Sequence, residues 1–240
     1  MGVSTLAFVG ATGGAGTTRL AVETAATLAR DGRSVAVLDA AFATQGLATR
    51  VPAQIRGDLT AVATGEASLA EATYDADFDV AGQVALCPAH APFERIARAK
   101  TSEHAQAFER AVAEAAGQYD HVLLDVPPVA ANQALAAVDA AQRRALVVPA
   151  TARGRDLLPQ QRGRLRDVDA PADAVVATRT DATEAVAVED ADHTVPAGDP
   201  NPTRPSALDP ESPLAPAVAD TTEALLDLEL GLSFDSGGLL

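Results

Sequence analysis

The sequence predicts one α/β domain, a doubly wound, mainly parallel sheet with helices on both faces. Short apolar runs alternate with helical patterns along the chain, as βα units require. The runs are apolar throughout, which is typical of strands buried on both faces. A chain of 240 residues with 48% apolar content is also long and apolar enough for one large core. We expect the domain to span residues 1–230, followed by a short, flexible, acidic and glycine-rich tail at 231–240.

The predicted elements follow from these patterns in chain order. Continuous apolar runs predict strands at residues 6–9, 35–39, 84–88, 122–125, 145–149 and 174–178. Helical spacing predicts helices at 18–31, 102–117, 132–141, 156–167 and 216–230. The proline-rich and aspartate-rich stretch at 190–213 predicts a loop across the carboxyl ends of the strands.

The turn between the first strand and the first helix is rich in glycine and suited to an anion. Gly13, Gly14 and Gly16 can adopt positive φ, so that successive backbone N–H groups point inward. The dipole of the following helix adds to the attraction. Aligned to the P-loop pattern G-x-x-x-x-G-K-[ST], the turn has Thr17 in the lysine position, and Lys100 is the only lysine of the chain. The alternative to an anion-binding role is a turn that serves only to pack the helix closely against the sheet.

Two carboxylates end later strands and extend the pattern. Asp39 closes the second strand, and Asp125 closes the run before Pro127. With residues 57–69 and the segments before the last helix, the chain resembles the ParA/MinD family of deviant-Walker P-loop ATPases (SIMIBI class) over roughly residues 3–230. That family's loop usually reads K-G-G-x-G-K-T-T, its second strand ends D-x-D, and its Walker B strand ends D-x-P.

The resemblance implies a P-loop fold, with ATP or ADP and Mg²⁺ as possible cofactors. Carried over by position, the cofactor-binding residues are Gly13, Gly14, Ala15, Gly16, Thr17, Thr18, Arg19, Thr178 and Arg179. The metal-binding residues implied in the same way are Thr18, Asp39 and Asp125. Asp39 and Asp125 could instead be helix caps or acceptors for loop hydrogen bonds.

The departures from the family pattern fall on the residues that carry charge. Thr12 and Thr17 replace lysines, Arg19 stands where a second threonine is usual, and Ala41 replaces the second aspartate. Cations near the γ-phosphate contribute several kcal/mol to phosphoryl transfer, so their loss slows it on the order of 10³-fold or more. We therefore expect a degenerate member without catalytic residues, which positions or regulates another component with little or no hydrolysis. Two alternatives stay open: an active ATPase rescued by Arg19 or by a partner's arginine, and a nucleotide-independent module pairing with an intact paralogue.

Charge restricts the partners. The net charge of −15, from 33 acidic and 18 basic residues, favours a halophilic, haloarchaeal cytoplasm. It disfavours nonspecific nucleic-acid binding, although residues 153–166 are rich in arginine. The acidic helical pattern at 223–230 disfavours docking on anionic lipid, and no apolar run is long enough to span a bilayer. We expect a protein partner or a homodimer.

Overall fold

The computed structural model describes residues 4–198 and 204–234, which form one eight-stranded sheet flanked by helices. The strands are β1 Ser4–Gly10, β2 Ser34–Asp39, β3 Tyr74–Asp75, β4 Gln83–Cys87, β5 His121–Val126, β6 Arg143–Pro149, β7 Ala174–Thr178 and β8 His193–Val195. The helices are α1 Thr17–Arg30, α2 Leu59–Ala63, α3 Phe93–Ala99, α4 Ser102–Ala116, α5 Asn132–Ala140, α6 Ala152–Asp167 and α7 Leu214–Leu226. Short 3₁₀ turns lie at Gly46–Arg50, Ala70–Ala72 and Ser206–Leu208.

The strand order is β3-β4-β2-β5-β1-β6-β7-β8. Every neighbouring pair is parallel except the edge pair of β3 and β4, which is antiparallel. The chain winds from the central β1 first towards β2 and later towards β6, so the loops at the carboxyl end of β1 lie where the winding reverses. This doubly wound, mainly parallel sheet confirms the predicted fold class, and ligands bind at such a reversal in sheets of this kind.

The core forms two layers, one on each side of the sheet. In β1, Leu6 and Phe8 pack with α1 and α7, whereas Ala7 and Val9 pack on the opposite face with α2 to α6. The period-two alternation of strand side chains therefore supplies both layers from one apolar run. All four of these side chains are fully buried, so β1 lies at the centre of the core.

Some predicted boundaries were wrong. The predicted loop at 190–213 contains β8, which extends the sheet because Asp192 accepts a hydrogen bond from the backbone of Val175 at 2.7 Å. Helix α6 begins at Ala152, earlier than expected, because the Thr151 hydroxyl accepts from the N–H of Gly154. The last helix runs from Leu214 and ends at Leu226, since Asp227 adopts a left-handed conformation with φ 52°.

The segment after α7 is held against the end of α1. The backbone N–H of Gly231 donates to Asp31 Oδ1 at 2.8 Å, and the guanidinium of Arg30 lies 5.2 Å from the ring centroid of Phe234. Residues 235–240, the rest of the predicted tail, lie outside the described residues. Across the described ranges, we find no helix with the length and apolarity to cross a bilayer.

Candidate functional site

The loop between β1 and α1 opens towards solvent at its glycines. Gly14 and Gly16 have φ of 73° and 94°, in the left-handed region that glycine tolerates. A Cβ added at Gly13 or Gly14 would meet no atom of the described chain within 4 Å. Gly16 is the N-cap residue just before α1, and it provides no side-chain cap. The first N–H groups of α1 therefore provide the uncapped, positive helix end that binds anions.

Two residues at the end of β7 donate hydrogen bonds to the backbone of this loop. The Thr178 hydroxyl donates to the carbonyl of Ala15 at 2.8 Å, and the Arg179 guanidinium donates to the carbonyl of Gly14 at 2.8 Å. Arg179 is a non-glycine residue with φ 60°, an uncommon conformation that aims its side chain at the loop. The structure thus brings these two predicted cofactor-binding residues to the backbone of the loop.

Two aspartates lie side by side beneath the start of α1. Asp39 on β2 and Asp125 on β5 are register partners in the sheet, and both are fully buried. The Thr18 hydroxyl donates to Asp125 Oδ2 at 2.5 Å. Asp39 Oδ1 accepts from the N–H of Ala41 at 2.8 Å, and Asp39 Oδ2 accepts from the N–H of Ala89 at 3.4 Å. The predicted metal-binding set of Thr18, Asp39 and Asp125 is therefore one cluster.

The electrostatics of this cluster suit a cation. Burial, and then the neighbouring Asp125 carboxylate, raise the pKa of Asp39 to about 8, against backbone hydrogen bonds that lower it. Burial also raises the pKa of Asp125, opposed by the hydroxyls of Thr18 and Thr17. Asp125 Oδ1 is buried and has no hydrogen-bond partner among the described residues. An unsatisfied carboxylate oxygen beside a threonine hydroxyl fits Mg²⁺, which prefers oxygen ligands and keeps several waters.

At three positions where the family pattern has a charged residue, this chain has a neutral side chain. Thr12 is buried, and its hydroxyl donates to the adjacent Gly13 carbonyl at 3.0 Å. Thr17 is half-buried at the first position of α1. Ala41 follows Asp39 closely and offers only a buried methyl group where the family pattern has a carboxylate. The loop can therefore attract an anion through backbone dipoles, but these three side chains add no charge to it.

A cavity of about 540 Å³ adjoins the loop at Gly16. Its walls include apolar side chains from α1, β8 and α7, and the charged residues Arg19, Glu23, Arg50 and Arg179. Arg19 donates to Glu23 Oε1 at 3.3 Å and to Ser206 Oγ at 3.0 Å, so its side chain runs along α1 into the cavity wall, away from the loop.

Sequence reasoning missed Glu23 and Arg50 as cavity residues. Glu23 is buried and accepts from the backbone N–H groups of Ser206 and Ala207 at 3.1 and 2.7 Å. A single acidic residue within the apolar run of the first helix was the available signal, because a buried glutamate needs partners. Arg50 comes from the 3₁₀ turn after β2, and we find no sequence signal that could have placed it.

The fold and the loop together define a ParA/MinD-like P-loop protein. A family model described as "Cellulose biosynthesis protein BcsQ" matches residues 3–168. The chain therefore belongs to the family that this model describes, which confirms the ParA/MinD-like resemblance seen in the sequence. Comparison with curated protein sequences finds no match.

Solved structures show the same fold at low sequence identity. MinD of Pyrococcus horikoshii, complexed with Mg-ADP, is 20% identical with a TM-score of 0.74, over 92% of this chain and 95% of that one. MinD in the MinC:MinD complex of Aquifex aeolicus is 22% identical with a TM-score of 0.76, over 96% and 99%. An aspartate-to-alanine variant of Cyanothece McdA, complexed with ATP, is 15% identical with a TM-score of 0.71, over 96% and 99%.

Proposed function

We propose that this chain is a nucleotide-binding positioning or regulatory factor with little or no ATP hydrolysis. The observation that carries the proposal is the cluster of Thr18, Asp39 and Asp125 beneath an open glycine loop, because it has the groups to hold a phosphate and Mg²⁺. The MinD and McdA neighbours bind Mg-ADP and ATP, which supports nucleotide as the ligand class.

The division of roles follows from the groups present. The first N–H groups of α1 and the Gly13 to Gly16 backbone would hold phosphate oxygens. Thr18 and Asp125, with Asp39 behind them, would hold Mg²⁺, which when bound neutralises phosphate charge. Ala41 cannot accept a proton from an attacking water or orient it, and Thr12 and Thr17 cannot stabilise negative charge on the γ-phosphate. Binding is therefore retained and cleavage is disfavoured.

A switch of this kind acts through partners. The MinC:MinD structure shows a neighbour of the same fold in a complex with another protein, which supports a protein partner for this chain, with a homodimer as the alternative. The family description adds cellulose biosynthesis as a candidate process for the component that it positions. The cytoplasmic, halophilic setting inferred from the charge of −15 belongs to the same proposal.

Steady-state phosphate release tests the proposal. We expect the isolated protein with Mg²⁺ and ATP to release phosphate no faster than its Asp125→Ala variant. If release by the unaltered chain is clearly faster than by Asp125→Ala, and follows Michaelis–Menten behaviour in ATP, the chain is an active ATPase and the proposal fails.

A further inference from the structure

The turn at residues 41–46, which follows β2, ends against the threonine of the candidate metal cluster. A Cβ added at Gly46 would lie 3.0 Å from Thr18 Oγ1 and 3.6 Å from Thr18 Cβ. This is the same hydroxyl that donates to Asp125 Oδ2. The backbone at Gly46 leaves little free space beside the hydroxyl, so the position of the turn limits where Thr18 can place its oxygen.

One side chain fastens this end of the turn. Gln45, the residue before Gly46, has a φ of 53°, a left-handed conformation that costs free energy for a residue other than glycine. Its side-chain amide Nε2 donates to the carbonyl of Ala91 at 2.9 Å. Ala91 lies between β4 and α3, 46 residues further along the chain. The hydrogen bond therefore ties the turn to a distant part of the chain, and it offsets the cost of the backbone conformation.

The start of the turn is tied to the same segment through Asp39. Asp39 Oδ1 accepts from the N–H of Ala41, the first residue of the turn, and Asp39 Oδ2 accepts from the N–H of Ala89. Ala89 and Ala91 thus hold the two ends of one turn. The link from Ala89 is 3.4 Å long, whereas the link from Gln45 is 2.9 Å. The Gln45 amide therefore makes the shorter of the two links, and it holds the end that packs on the threonine hydroxyl.

We propose that Gln45 is a positioning residue for the divalent cation, and that it acts through Gly46 on the hydroxyl of Thr18. While its amide is bonded to Ala91, Gly46 stays against Thr18, and the hydroxyl stays beside Asp125. Residues that orient a metal ligand without touching the metal commonly change metal affinity by about 10- to 100-fold. This inference rests on the proposed function, because it concerns the Mg²⁺ site of the same nucleotide pocket.

The Mg²⁺ dependence of ADP binding tests this role. Calorimetric titrations at one fixed salt concentration give the ADP dissociation constant with Mg²⁺ and with a chelator. Gln45→Met removes the amide donor and keeps the length of the side chain, whereas Gly46→Ala places a methyl group against Thr18 Oγ1. We expect each substitution to weaken ADP binding in Mg²⁺ about tenfold and to leave binding without Mg²⁺ within about twofold, since neither residue belongs to the glycine loop.

Two more variants separate the amide from other effects. Gln106→Met makes the same change at an exposed glutamine of α4, and it should leave both dissociation constants unaltered. Gln45→Gly adopts a φ of 53° freely and also lacks the amide, so it should weaken Mg²⁺-dependent binding as Gln45→Met does. Full affinity in Gln45→Gly would mean that the backbone conformation suffices, and the positioning role would be wrong. Thermal midpoints identify any variant that has not folded, in which case the other substitutions at residues 45 and 46 decide.

The outcomes distinguish this inference from the proposed function. If the unaltered chain binds ADP more tightly with Mg²⁺, and the folded Gln45→Met and Gly46→Ala proteins gain as much, only the positioning role fails. It also fails if these variants weaken ADP binding equally with and without Mg²⁺, because the effect then concerns the whole pocket. If the unaltered chain binds no ADP, or gains no affinity from Mg²⁺, the proposed function fails and the positioning role fails with it.

Discussion

Replacing Asp39 by asparagine should stabilise the metal-free protein at alkaline pH. Asp39 is fully buried beside Asp125, and its pKa is raised from 3.8 to about 8. In the unfolded chain this carboxyl ionises near its ordinary pKa, whereas in the folded protein it keeps its proton up to about pH 8. The folded state therefore binds more protons across this window, and stability is lost as the pH rises from about 4 to 8.

The magnitude follows from the same pKa values. At about 1.4 kcal/mol for each tenfold change in proton affinity, the rise sets an upper bound on the order of 6 kcal/mol. Relaxation of the site and water entry reduce this, so we expect about 2 kcal/mol between Asp39→Asn and the unaltered chain at pH 8 or above. For a domain of this size that corresponds to roughly 4 to 8 °C in the thermal midpoint. Near pH 4 the two proteins should differ little.

Thermal unfolding from pH 4 to 9 with a chelator present is the assay. Asp120→Asn is the matched control, because Asp120 is exposed and its pKa is lowered by hydrogen bonds from Ser34, so it should lose stability at neutral pH. Added Mg²⁺ should raise the midpoint of the unaltered protein at pH 8 more than that of Asp39→Asn. If Asp39→Asn is less stable than the unaltered chain at pH 8 without metal, the conclusion that these two buried carboxylates destabilise the metal-free protein when both are ionised is wrong.

Two further perturbations test the loop and the surface. Thr17→Lys should strengthen Mg²⁺·ATP binding by on the order of 1 to 3 kcal/mol in a calorimetric titration, because its ammonium would meet phosphates in a loop already shaped for them. Adding Ala41→Asp to Thr17→Lys should then raise the rate of phosphate release more than it raises the affinity for nucleotide. If the folded Thr17→Lys protein still binds no nucleotide, the pocket is closed. Lowering KCl from 2 M to 0.1 M should lower the thermal midpoint, because the charge of −15 is then less screened. An unchanged or higher midpoint at 0.1 M would contradict the halophilic interpretation.

The sequence was sufficient for the features that depend on local pattern. Continuous apolar runs located the central strands and placed an aspartate at the end of two of them. That these two aspartates lie together was implied only by the family resemblance, and it depends on the pairing of β2 with β5. The glycine turn after β1 likewise followed from residues adjacent in the chain. Such features need no knowledge of distant contacts.

Features that depend on tertiary contacts were missed. Strand β8 has three residues, and it is too short and too polar to be recognised from the sequence. These residues form a strand because they pair with β7. Arg50 and Glu23 enter the cavity wall only through folding, Arg50 from a 3₁₀ turn and Glu23 from a helix face turned towards Ser206 and Ala207. The left-handed Asp227 that ends α7 has no sequence signal that separates it from a continuing helix.

Equilibrium titration of the purified protein with Mg²⁺ and ATP in multimolar KCl tests the central claim most directly. We expect saturable binding at one site per chain, weakened by Asp125→Ala, with the nucleotide recovered from the complex still as ATP after prolonged incubation. Absence of binding by a folded protein, or recovery of the bound nucleotide as ADP at a rate that Asp125→Ala abolishes, would contradict a nucleotide-holding site that does not hydrolyse its ligand.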